Sequence, residues 1–105
     1  MTDSNDSSEP LNSRENAIRL LEDTHAFPCP VMVKVIGRAE DGFVARIVAA
    51  VRSIQKLDVD PEYRMRQTPN GRHVAVTFEP YFKSAVEVLV IYEHIRTVEG
   101  VVMLL

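Results

Sequence analysis

The chain has 105 residues, 46% of them apolar and 26% charged, which is the make-up of one globular domain with one modest core. No apolar run approaches the roughly 18 residues that a membrane span needs, and from the polar, acidic N-terminus the expectation is neither a secretory signal nor a transit peptide. A single cysteine excludes an intramolecular disulfide and points to a reducing, cytoplasmic setting.

The formal net charge of -3 is concentrated at one end. Residues 1–12 hold Asp3, Asp6 and Glu9 and no lysine or arginine, so the rest of the chain is formally neutral. Nucleic-acid-binding domains carry a basic excess, and this one does not. The expectation is a disordered acidic tail over residues 1–12 and a single domain over residues 13–105.

"NSRENAIRLLED" predicts a short first helix. Asn12 or Ser13 would cap it, with Glu15 completing a capping box, and Ala17, Ile18, Leu20 and Leu21 form one apolar face. "FPCPVMVKVIG" follows. Pro28 and Pro30 cannot donate to a ladder, so the strand begins after them. Val31, Val33 and Val35 share one face; Met32, Lys34 and Ile36 share the other.

"DGFVARIVAAVRSIQK" predicts a helix with Asp41 as N-cap. Phe43, Ile47, Val51 and Ile54 face inward, and Arg46, Arg52, Ser53 and Lys56 face outward. "PEYRMRQTPNGRHVAVTFEP" predicts a hairpin. Tyr63 and Met65 alternate with Arg64 and Arg66; Asn70-Gly71 supplies the reversal; Val74, Val76 and Phe78 alternate with His73, Ala75 and Thr77. Ser84 and Glu87 announce a last helix with Val88, Ile91, Tyr92 and Ile95 inward, and "VVMLL" after Gly100 is a final strand.

The expected class is therefore α+β: a ferredoxin-like βαββαβ sandwich. It has a four-stranded antiparallel sheet, the first and third strands central, two helices on one face, and a short extra helix at the N-terminus.

The first-strand motif "FPCPVMVKVIG", the hairpin "TPNGRHVAVTF" and the terminal "GVVMLL" resemble the YbeD-like family of small bacterial proteins, over roughly residues 27–105. His73 and Ala75 depart from the family pattern, where an aromatic and a serine are common. The resemblance implies a sheet similar to that of amino-acid-binding regulatory (ACT) domains, no established catalytic activity, and a regulatory tie to lipoate attachment. Fold does not itself give function.

Motif chemistry is sparse. Cys29 has His25 four residues away but prolines on both sides and no helix start after it, so a small, partly buried apolar role fits it better than a nucleophile. Glu22, His25, Cys29, His73 and His94 show no metal-site spacing, and the four glycines form no phosphate cradle. The expectation is no enzyme activity, no metal and no cofactor. Alternation puts Lys34, Arg64 and Arg66 on the open sheet face, where they could bind a small anionic metabolite or an acidic partner. The same charges also fit a solvated face offset by Glu62 and Glu79. Gly37, opening the loop to Gly42, is a second candidate contact for a ligand. Tyr63, Phe78 and Tyr92 fall on the inward pattern, which removes the aromatic platform that RNA recognition uses. Val86, Leu89 and Val90 lie outside the inward stripe of the last helix, so either the N-terminal helix or a second subunit covers them. Two functions remain: an ACT-like regulatory domain for an anionic metabolite, or an adaptor docking a protein through the sheet face or the last helix.

Overall fold

The computed structural model describes residues 9–105. Its elements, in chain order, are α1 (Glu9–Thr24), β1 (Cys29–Pro30), β2 (Val33–Arg38), α2 (Phe43–Gln55), β3 (Arg64–Gln67), β4 (His73–Phe78), β5 (Tyr81–Phe82), α3 (Ala85–Ile95) and β6 (Val101–Leu104). The class is α+β. One antiparallel sheet runs in the order β3-β4-β2-β6, and β1 pairs with β5 in a separate ribbon.

The core is the side of the sheet that faces α2 and α3. Val33 and Val35 of β2, and Val74, Val76 and Phe78 of β4, meet Phe43, Ile47 and Val51 of α2 and Val88, Ile91 and Ile95 of α3. All of these are buried, and the alternation of β4 between buried and half-buried residues follows its sequence pattern. Nearly complete removal of each such side chain from water stabilises by about 1.5–3 kcal/mol.

Helix starts differ in how they are made. Ser84 caps α3 as expected, its Oγ accepting from the Glu87 N–H at 3.4 Å, while the Glu87 carboxylate accepts from the Lys83 N–H at 2.7 Å. Asp41 does not cap α2; Gly42 does, at φ 86, with no side-chain hydrogen bond. The left-handed backbone there suits glycine, and the turn leaves Asp41 outside the cap position. α1 begins at Glu9, so Asn12 and Ser13 lie within it rather than at its start. Of the expected tail, residues 1–8 lie outside the described residues, and Glu9–Asn12 belong to α1.

α1 lies against α3, with the Arg14 guanidinium paired to the Glu93 carboxylate. Leu89 becomes half-buried, but Val86 and Val90 stay 44% and 42% exposed. The N-terminal helix therefore covers only part of the apolar surface of α3.

The expected first strand is split. Val31 is buried, but the ladder of β2 starts at Val33 and continues past Gly37 to Arg38, which pairs with His73. Cys29 and Pro30 pair instead with Phe82 and Tyr81. β3 departs furthest from expectation. Tyr63 and Met65 share a side with the core but are 43% and 55% exposed, and all four residues of β3 are exposed. α2 packs under β2 and β4 and leaves the β3 edge uncovered.

Candidate functional site

The side of the sheet away from the helices carries the charges. Register aligns them in cross-strand rows. Arg64 pairs with Thr77, which pairs with Lys34. In the next row Arg66 pairs with Ala75, then Ile36, then Met103. In the third, His73 pairs with Arg38. Strands about 4.8 Å apart put the Cα atoms of Arg64 and Lys34 about 9–10 Å from each other, and Arg66 stands about 6.8 Å along the strand from Arg64. Long cationic side chains bridge such distances.

Lys34 is half-buried; Arg38, Arg64 and Arg66 are exposed. Among the described residues the ion pairs are Arg14–Glu93, Arg46–Glu40 and Arg52–Asp60, and none of them uses a cation of this face. Arg46 and Arg52 are instead tied to the chain itself, donating to the Glu99 carbonyl at 3.1 Å and the Leu57 carbonyl at 3.2 Å. Among the described residues, then, the four cations of the open face have no ion-pair partner. Met103 of β6 and Met32, the residue just ahead of β2, are 49% and 51% exposed and add apolar surface near the cations.

Sequence reasoning found Lys34, Arg64 and Arg66 and missed Arg38. Its signal was present: Arg38 has the same parity as Lys34 and Ile36, but Gly37 looked like the end of the strand. Gly37 itself is not brought to the cations. It is buried on the opposite side, where a Cβ would run into the Phe43 ring and stand 2.7 Å from the Gly100 carbonyl oxygen. Its smallness makes room for Phe43.

Glu62 and Glu79 do not neutralise the rows evenly. Both lie at the Arg64 end, in a groove of about 700 Å³ that also holds Asp60, Thr77 and Tyr81. Glu62 and Glu79 outnumber the one guanidinium there, and Asp60 is already paired with Arg52, so that groove is a poor host for an anion. A second groove, of about 570 Å³, lies between the end of α2 and α3 and contains Tyr81, Val86 and Val90.

Cys29 is half-buried at the border of the core, and the His25 ring packs at a tilt of 41° against Phe27, with centroids 5.8 Å apart. The His25 Nδ1 stands 3.0 Å from the Thr24 hydroxyl and 3.2 Å from the Leu21 carbonyl oxygen. The imidazole is engaged by its own helix end rather than by the thiol. Among the described residues no three metal-ligating side chains cluster, and no helix is long and apolar enough to cross a membrane.

The sequence model of the family described as "Protein of unknown function (DUF493)" matches residues 22–105, and the chain belongs to that family. YbeD-like proteins belong to the same family, so the resemblance carried by the first strand, the hairpin and the C-terminal run identified it correctly. The match begins inside α1, five residues ahead of the motif that first suggested it. Comparison with curated proteins finds no match.

Proposed function

We propose that this member of the DUF493 family is a cytoplasmic, non-enzymatic, regulatory binding domain of bacterial type that holds an acidic partner protein on its open sheet face. A strand order with the first and third of four strands central supports a ferredoxin-like βαββαβ reading. One observation carries the function: register gathers Lys34, Arg38, Arg64 and Arg66 on an uncovered face, and no described ion pair uses them.

The shape of the site favours a protein over a metabolite. Small-molecule sites are concave and enclose most of their ligand. Here the cations stand on a sheet surface, with exposed methionines beside them, and the adjoining groove is acidic. A flat surface of mixed charge and apolar area resembles a protein interface. An ACT-like role for a small anionic metabolite is the second reading. The short spacing of Lys34, Arg64 and Arg66 across adjoining rows favours it, since one compact polyanion could reach all three.

The test is titration of the labelled protein with an acidic peptide and with a compact polyanion such as citrate, followed by NMR. An exposed charge pair contributes up to about 1 kcal/mol, so reversing Lys34, Arg64 and Arg66 to Glu should weaken an acidic peptide by about 100-fold. Raising ionic strength until the Debye length falls from about 10 Å to about 3 Å should weaken the wild type as well. Shifts with citrate alone would move the reading to the metabolite. A triple variant that binds the peptide like the wild type ends both.

A further inference from the structure

Among the described residues β3 forms one edge of the sheet, with β4 as its neighbour. The hydrogen-bonding direction of each residue on that edge follows from the hairpin. The Thr68 N–H donates to the His73 carbonyl at 2.9 Å. In an antiparallel pair the bonded and non-bonded positions alternate, so the main-chain groups of Arg66 and Arg64 point toward β4. Those of Met65 and Gln67 point the other way, into the free edge. Two N–H donors and two C=O acceptors thus stand in line, ready for another strand.

The two sides of this edge differ in chemistry. On the open face stand Arg64 and Arg66. On the other side, α2 and β3 bound a groove of about 740 Å³ whose apolar lining is Val44, Val48, Leu57, Tyr63 and Met65, with Arg52, Lys56 and Asp60 also on its wall. Met65 is 55% exposed over it. A strand laid along β3 would therefore meet Arg64 and Arg66 above and, below, the apolar part of that groove around Met65.

A second copy of this chain meets that requirement poorly in the register centred on Met65. Antiparallel self-pairing centred on Met65 would set Arg64 opposite Arg66 twice over, and like charges directly opposite are destabilising. The complementary strand has carboxylates where β3 has arginines.

We propose that the free edge of β3 takes up an extended acidic segment of another protein as an added strand. Its carboxylate side chains lie opposite Arg64 and Arg66, and an apolar side chain between them lies opposite Met65 and enters the trough beside α2. Main-chain bonds to Met65 and Gln67 give the affinity, and the alternation of acid and apolar residues gives the specificity. The inference rests on the reading that the open-face cations hold an acidic partner, and it names the manner of holding.

The experiment uses the full chain and a capped peptide alternating glutamate with valine over about six residues, an ordinary strand length. Amide exchange is followed by NMR with and without the peptide. Met65 and Gln67 should gain protection, whereas Arg64 and Arg66, already bonded to β4, should change little. Met65→Pro removes the outward N–H at an edge position where proline is tolerated, and leaves both arginines in place. It should weaken the peptide by on the order of tenfold or more. Arg64→Glu with Arg66→Glu should do the same. A peptide alternating glutamine with valine should bind more weakly than the acidic one; equal binding overturns the acidic requirement. Should charge reversal weaken binding while Met65→Pro does not, and Met65 and Gln67 stay unprotected, strand addition is overturned and the acidic partner reading survives. Should neither variant matter, both fall. Protection of Met65 and Gln67 that grows with protein concentration alone would show a second copy on the edge and overturn the proposal.

Discussion

Gly37→Ala tests how the sheet closes over α2. Gly37 is buried, and its φ is not in the left-handed region, so backbone conformation does not require glycine. Replacing a strand glycine with alanine would then stabilise by about 0.5–1 kcal/mol through chain entropy. Sterics oppose this. The added Cβ would overlap Cζ and Cε1 of the fully buried Phe43 ring and crowd the Gly100 carbonyl oxygen at 2.7 Å. Gly100 also accepts the Arg38 N–H at 3.0 Å, so backing away disturbs the junction of β2 with β6. Overpacking of this kind costs about 1–3 kcal/mol, and it outweighs the entropy gain because neither a buried ring nor a bonded backbone can give cheaply. The expected net loss is about 1–2 kcal/mol, or about 4–8 °C in Tm per kcal/mol for a domain near this size. Urea unfolding of Gly37→Ala, Phe43→Leu and the double variant measures it. Leucine lacks the ring atoms that clash, so the alanine should cost less beside Leu than beside Phe, with a coupling of about 1 kcal/mol. A neutral Gly37→Ala, or effects additive to within about 0.5 kcal/mol, would refute the steric account.

Ser84→Ala should destabilise by about 0.5–1 kcal/mol, toward the low end for a cap because its hydrogen bond is long at 3.4 Å; urea midpoints check it, and an unchanged midpoint would mean the cap adds nothing. Burial pushes the Tyr92 hydroxyl above the ordinary tyrosine range. The folded chain then keeps this proton after the unfolded chain has lost it, so stability should fall as pH rises past about 10 and level off once the folded group also ionises. Tyr92→Phe should flatten that alkaline fall. At neutral pH it should cost about 1 kcal/mol for the lost bond to the Leu105 carbonyl, which is 3.2 Å away. Stability curves that share one alkaline slope would refute the assignment.

What could be read from the sequence was whatever local chemistry decides. β4 and the start of α3 were legible because alternation and a capping box are contained in a few consecutive residues. The separate β1–β5 ribbon was not, since two residues per strand carry no period and Pro30 argues against a ladder. The start of α1 was set too late, although Pro10 is a residue that the first turn of a helix accepts. Gly37 suggested a ligand contact at the start of a loop because nothing in sequence reports that Phe43 folds back over it. Arg38 was lost for the same reason: a glycine ends a strand in isolation, but pairing with His73 and the Gly100 carbonyl carries this one a residue further.

Met65 marks the limit of such reasoning and the place where function is most legible. Alternation assigned it correctly to the core side, but alternation cannot say whether a helix reaches that far, and α2 does not. An edge that served only to repel other strands would present charge in this position, as edges commonly do. β3 has arginines on one side only and leaves an apolar side chain over a partly apolar groove on the other. Half of that arrangement discourages pairing with itself, and the other half gives a foreign strand something to bury. A strand that breaks the rule of covering its apolar residues, beside cations that no described ion pair uses, is the kind of local conflict that functional surfaces retain.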